Sequence, residues 1–180
     1  MLLIVENGSV YTKFLLDFLA EKNIVYDVLT FDKIVLSSLN KYSSIILSGR
    51  RKNNSLMNSI NSKIIKHSVT EKKPLLGICY GAEILALTLG GTLKKMDVIH
   101  KRNQEIEILK TNPLCSGKIN VFENHSYLIS KIDNNFTQIA KSDVCDFEII
   151  QYDNLNIFGT QFHPEMSNDG KLLLEKFVSI

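Results

Sequence analysis

Four short, largely apolar segments, each stopped by turn-forming chemistry, restrict this chain more than any other feature. Leu2–Val5 closes at Asn7-Gly8, Ser44-Ile45-Ile46-Leu47 at Ser48-Gly49, Leu75–Ile78 at Cys79-Tyr80-Gly81, and Ile157–Phe162 at His163-Pro164. Such runs, apolar on successive residues, suit strands buried on both faces, the kind found in parallel sheets covered by helices. Helical periodicity lies between them. Phe14, Leu15, Phe18 and Leu19 predict a helix from Val10 to Lys22 with Ser9 as its cap, and Ile60, Ile64 and Ile65 predict another over Asn58–Ser68. Val25–Leu29 alternates as a strand, Ala82–Leu89 reads as a helix stopped by Gly90-Gly91, and Lys171–Val178 reads as a closing helix. Strand, helix and strand in alternation predict an α/β fold with an open, mostly parallel, doubly wound sheet and flanking helices.

Beyond Gly91 the pattern turns β-rich. Glu105–Leu109, Ile119–Phe122, Gln138–Ala140 and Phe147–Ile150 read as short strands, with a hairpin-like turn at Pro113 and Ser116-Gly117. They predict a smaller antiparallel extension of the sheet. At 180 residues, with no internal repeat or low-complexity tract, the chain is expected to form one domain over residues 1–180.

Charge excludes more than it selects. Twenty-one basic against nineteen acidic side chains leave +2, too weak a field to make nucleic acid a natural partner. Met1–Val5 is stopped by Glu6 with no basic region before it, so it reads as a strand and not a signal peptide. No apolar run approaches the roughly 20 residues of a membrane-spanning helix. Cys79, Cys115 and Cys145 are odd in number, widely spaced and in no metal-ligand pattern. The expectation is a cytoplasmic protein without metal, cofactor, nucleic-acid or membrane partner.

Gly77-Ile78-Cys79-Tyr80-Gly81 is the thiol form of a nucleophile elbow. A strand-to-helix turn pushes the central side chain outward, the glycines admit neighbouring segments, and the helix start favours a thiolate. Cys115 and Cys145 lack this context. A thiol nucleophile needs an imidazole to take its proton and a third group to orient the ring. His163-Pro164-Glu165 supplies both, on backbone expected to be extended because of Pro164. His67 and His100 fall in polar stretches and are expected in solvent, whereas His125 is a more serious candidate.

Together with Asn124-His125-Ser126-Tyr127, these motifs resemble the class I (triad) glutamine amidotransferases over nearly the whole chain, which implies a flavodoxin-like sheet. The stretch Val5-Glu6-Asn7-Gly8-Ser9-Val10-Tyr11-Thr12 is similar to the glutaminase part of GMP synthetases. The resemblance implies Cys79 as nucleophile, His163 as proton relay and Glu165 as its orienting group. It further implies L-glutamine as substrate, contacts from Gly49, Tyr80, Glu83, Asn124, Ser126 and Tyr127, and ammonia delivered to a separate ATP-dependent synthetase subunit. Glutaminases of anthranilate and aminodeoxychorismate synthases share the triad.

Two positions depart from the family pattern. Ser48-Gly49-Arg50-Arg51-Lys52-Asn53 replaces a Gly/Pro-rich oxyanion loop, and an arginine at 50 disfavours any conformation with positive φ. A restructured loop, or a catalytically impaired relative, is one implication. Glu83 stands where the family has Gln, a change that admits a stand-alone γ-glutamyl peptidase or hydrolase.

Overall fold

The computed structural model describes residues 1–180. Its elements are β1 (Leu2–Asn7), α1 (Thr12–Glu21), β2 (Tyr26–Thr30), β3 (Ser44–Arg50), α2 (Ser55–Thr70), β4 (Leu75–Ile78) and α3 (Tyr80–Thr88). They continue through β5 (Thr92–Ile108), β6 (Lys118–Lys131), β7 (Phe136–Lys141), β8 (Ile149–Tyr152), β9 (Ile157–Thr160) and α4 (Asn168–Val178). The nine strands form one sheet in the order β2-β1-β3-β4-β9-β8-β7-β5-β6. From β2 to β9 neighbours are parallel, and from β9 to β6 every pairing is antiparallel. No helix is long and apolar enough to cross a membrane.

The continuous apolar runs follow from this layering. Ile4, Ile46, Leu76 and Phe158 pack on one face against Leu15, Leu19, Leu173 and Phe177 of α1 and α4. Their chain neighbours Leu3, Ile45, Leu47, Leu75 and Ile157 pack on the other, against Ile64, Ile65 and Leu85 of α2 and α3. Successive residues face opposite sides, so a strand covered on both has no place for a polar alternate.

Several local expectations need correction. Helix α1 starts at Thr12 because Glu6 Oε1 accepts the amides of Gly8 and Ser9 and holds residues 6–11 in a turn of their own. Ser9 Oγ accepts from the Tyr11 amide within that turn and does not cap the helix. Helix α2 is longer than its apolar stripe predicts, since the Asn54 side chain caps it by accepting from Met57 N at 3.1 Å. Strands β5 and β6 extend far beyond the short segments predicted. Much of β5 is solvated and carries no period-two hydrophobic signal, while its backbone pairs with β6 over Thr92–Lys95 and again over His100–Glu107, with an irregularity between. Pro164 begins a 3₁₀ turn, Pro164–Met166, in place of the extended backbone expected, because proline suits the first position of a helical turn.

At the β4–α3 junction, glycine is obligatory. A Cβ on Gly77 would lie 2.4 Å from the carbonyl carbon and oxygen of Gly81, and one on Gly81 would lie 2.5 Å from the Leu47 carbonyl oxygen. Gly77→Ala is therefore expected to destabilise the fold by about 3 kcal/mol or more through overpacking against rigid backbone. Gly117→Ala, at φ +72° with open space around it, should cost only about 1 kcal/mol. Denaturant unfolding of the two variants checks the ranking.

Candidate active site

Cys79 sits between β4 and α3 with φ 50° and ψ −102°, an unfavourable conformation for a residue with a Cβ. Its amide donates to Thr160 O at 2.7 Å, tying the turn to the end of β9. Three residues further, His163 is fixed through its own backbone by donation to Phe122 O at 2.9 Å. Parallel β4 and β9 thus bring to one sheet edge two residues far apart in sequence.

The imidazole is oriented from several sides. His163 Nδ1 lies 2.8 Å from Glu165 Oε1, both side chains being almost wholly buried. Since the carboxylate accepts, Nδ1 carries the proton, and Nε2 remains for a partner. Tyr11 packs its ring edgewise on the imidazole at 4.6 Å, and its hydroxyl accepts from Asn124 Nδ2 at 2.8 Å. Gly49 backs the ring so closely that a Cβ there would stand 3.0 Å from His163 Cε1.

Burial opposes charge on His163, yet the neighbouring Cys79 and Glu165 together hold its proton affinity well above the usual imidazole range. Burial pushes the Cys79 thiol up, while His163 draws it down. Each charged form thus stabilises the other, a thiolate on Cys79 favouring a protonated imidazole and the reverse. Cys79 Sγ also lies 3.9 Å from Asn124 O.

The expected substrate contacts converge here. A cleft of about 270 Å³ is lined by Cys79, Tyr80, Glu83, Asn124, Ser126 and Tyr127, together with Arg50 and Arg51. A second cleft reaches His163 from the Tyr11 side. Buried Glu83 has its carboxyl pushed up by desolvation, against the pull of Arg50 and His125. Helix α3 starts at Tyr80, so that residue's amide has no acceptor within the helix.

Arg50 does not adopt the left-handed conformation that would strain it. It ends β3 in register with Asn7 and is not among the residues with positive φ. Its guanidinium stacks 4.2 Å from the Tyr80 ring centroid and donates to Asn53 and Asn58, whose Oδ1 also accepts from the Tyr80 hydroxyl. Behind it, Asn7, Ser48 and Asn61 form a buried hydrogen-bonded group joining β1, β3 and α2.

Other sequence candidates fall outside the cleft or change character. Cys115 and Cys145 are free and buried, and burial raises the Cys115 thiol to about 11. His67 and His100 are half-buried and not solvated as expected, and His100 stacks at 5.7 Å against His125. Tyr11 packs on His163 and Arg50 on Tyr80, contacts that sequence reasoning does not reveal. For Tyr11 the only signal is its place in the motif Asn7-Gly8-Ser9-Val10-Tyr11-Thr12.

The chain matches the class-I glutamine amidotransferase family over residues 3–179 and belongs to that family. More particularly, it is 32% identical along its full length to a subunit of the glutamine-hydrolysing GMP synthase of Pyrococcus furiosus, of which it covers 98%. The GMP synthase of Yersinia pestis is 27% identical over 98% of this chain, a stretch that makes up 36% of that longer protein. A Thermoplasma acidophilum protein, provisionally described as a GMP synthase subunit, has a crystal structure that superposes with a TM-score of 0.87 at 25% identity. The match covers 99% of this chain and 92% of that one.

Because the folded-state affinity of His163 for its proton is raised, its stabilising contribution is complete below about pH 6.5 and is lost as pH rises through the raised value. Glu165→Gln removes one of the charges that raise it. Titration of the imidazole by NMR should then show protonation lost at lower pH than in the parent protein.

Proposed function

We propose that residues 1–180 form one glutaminase domain in which Cys79, His163 and Glu165 hydrolyse the side-chain amide of L-glutamine. The observation that carries this reading is the Glu165–His163 hydrogen bond of 2.8 Å beside a cysteine held on a strained elbow. Cys79 Sγ attacks the amide carbon as its proton passes to His163. The tetrahedral oxyanion is held by the Tyr80 amide and by backbone at Gly49. Collapse expels ammonia, which takes the proton from His163 and leaves a γ-glutamyl thioester. Water, deprotonated by the same imidazole, attacks the thioester and releases glutamate and the thiol.

The cleft supports an amino-acid substrate by its charge. Glu83 and the two arginines Arg50 and Arg51 line it together with Asn124, Ser126 and Tyr127, so it offers both charges that the ammonium and carboxylate of a zwitterion require. Ammonia goes to a separate ATP-dependent synthetase subunit that converts XMP to GMP in the cytoplasm. The relatives support this assignment: the matching stretch is nearly the whole of a GMP synthase subunit in Pyrococcus furiosus and a minor part of a longer GMP synthase in Yersinia pestis.

Glu83 beside Cys79 favours a second reading, a γ-glutamyl hydrolase that works without a partner. Glutamate release from glutamine, measured with and without a GMP synthetase subunit, separates the two. The glutaminase reading expects stimulation by the partner and a loss of about 10³-fold or more in Cys79→Ala. Faster turnover of γ-glutamyl peptides than of glutamine, indifferent to the partner, selects the hydrolase. Release unaffected in Cys79→Ala overturns both.

A further inference from the structure

Arg50 is a cation without an anion. It ends β3 where the two clefts meet, lining both, and none of the chain's ion pairs includes it. Glu83 lines one of the same clefts but does not pair with it. A half-buried guanidinium gives up part of its hydration, and without an acceptor that loss is uncompensated.

The side chain is nonetheless held in place. Its guanidinium lies 4.2 Å from the Tyr80 ring centroid, a stacking that suits the flat face of arginine. Nη1 donates to Asn53 Oδ1 and, at 3.2 Å, to Asn58 Oδ1. Each acceptor is fixed in turn: Asn53 Oδ1 also accepts from Asn58 Nδ2 at 3.1 Å, and Asn58 Oδ1 from the Tyr80 hydroxyl at 2.9 Å. The clamp joins the end of β3 to the first turn of α2 and the first residue of α3, so the guanidinium is anchored to the same elements as the Cys79 elbow.

The donors left over have a definite shape. Of the five N–H groups of an arginine, Nη1 carries two, and both are taken up by the asparagines. Those on Nε and Nη2 donate to no protein atom, and together they form the edge that matches the two oxygens of one carboxylate. The other basic groups on the lining are less suited to this task. Arg51 is exposed and without such anchoring, and His125 is almost wholly buried with Nδ1 turned to Tyr127 O.

We propose that Arg50 is the specificity-determining residue of the cleft: its Nε–Nη2 edge takes the α-carboxylate of a γ-glutamyl donor, while Cys79 meets the amide at the other end of the same molecule. This assignment rests on the glutaminase reading for the identity of the reacting amide. The substrate class narrows to γ-glutamyl compounds with a free α-carboxylate. Donors whose α-carboxyl is amidated or built into a peptide leave the edge unpaired and are rejected. The charge field agrees: burial pushes up the Glu83 carboxyl and the Tyr80 hydroxyl, and in both cases the first opposing influence is the Arg50 charge.

The test compares L-glutamine with its α-amide, L-glutaminamide, which keeps the side-chain amide and the ammonium but carries an uncharged carboxamide in place of the carboxylate. Ammonia release by the parent protein, assayed with the GMP synthetase subunit and needing no substitution, is expected to favour glutamine by about 100-fold in kcat/KM. Arg50→Gln should lose about 50-fold on glutamine, chiefly through KM, and less than about threefold on the α-amide. Arg50→Lys keeps the charge without the fork or the stacking and should recover no more than about tenfold of that loss. Equal turnover of the two donors by the parent, an Arg50→Gln loss of the same size on both, or discrimination lost in Arg51→Gln and kept in Arg50→Gln overturns the proposal. So does an Arg50→Gln variant that keeps its preference and loses only the stimulation by the synthetase subunit, since the edge then serves a carboxylate of that partner. Calorimetric binding of glutamine to Cys79→Ala reads the site without turnover and should weaken about 50-fold when Arg50→Gln is added. If glutamine binds in this Arg50-dependent way and the parent does not hydrolyse it, the glutaminase reading fails and the carboxylate site stands. If hydrolysis proceeds without dependence on Arg50, the site is refuted and the glutaminase reading stands.

Discussion

The approach of bare backbone to bare backbone at the β4–α3 junction is the constraint on which the rest depends. Gly77 lies under Gly81, and Gly81 lies on the Leu47 carbonyl, at separations that leave no volume for a side chain. This contact brings the first turn of α3 down onto the sheet and forces Cys79 into a conformation costing on the order of 1–3 kcal/mol. The strain persists because the Cys79 amide is bonded to Thr160 O and the flanking residues are buried between α3, β3 and β9. A side chain on such a turn cannot relax into the core, so the direction of the Cys79 thiol is built into the backbone.

Around that fixed point the two halves of the sheet make different contributions. The parallel half carries Cys79 and His163 on strands whose order is set by burial on both faces. The antiparallel half carries the 124–127 wall on β6, where one face meets the cleft. Tyr11 bridges them, with its ring on His163 and its hydroxyl on Asn124. Arg50, Arg51 and Glu83 bring charges of both signs to the lining of one cleft, and Arg50 opposes the effect of burial on the Glu83 carboxyl.

The parallel half is legible in the sequence because burial on two faces leaves an unbroken apolar run, and the elbow because only glycine fits at 77 and 81. The Cys79, His163 and Glu165 constellation follows from the chemistry of thiols. Its geometry tolerates the correction at Pro164, since a 3₁₀ turn also brings positions 163 and 165 together. The length of β5 and β6 is hidden because backbone hydrogen bonds, not side chains, hold their solvated stretches. His100 and His125 cannot be paired in advance, because cross-strand register depends on a bulge between Lys95 and His100 that no local signal marks. An arginine at 50 is a difficulty only for the conformation a glycine would adopt, whereas here the strand simply continues through it.

The long β5–β6 hairpin also bears on the order in which the molecule assembles. Its two strands are near neighbours in the chain and can zip from the turn around Pro113–Gly117 by local steps, whereas β4 and β9 meet only after the whole intervening segment has closed. The wall of the cleft can therefore exist before the floor does. Cys79 and His163 are joined through the strand pairing with the greatest sequence separation in the sheet, and that pairing carries the largest loop-closure cost of any contact around the cleft.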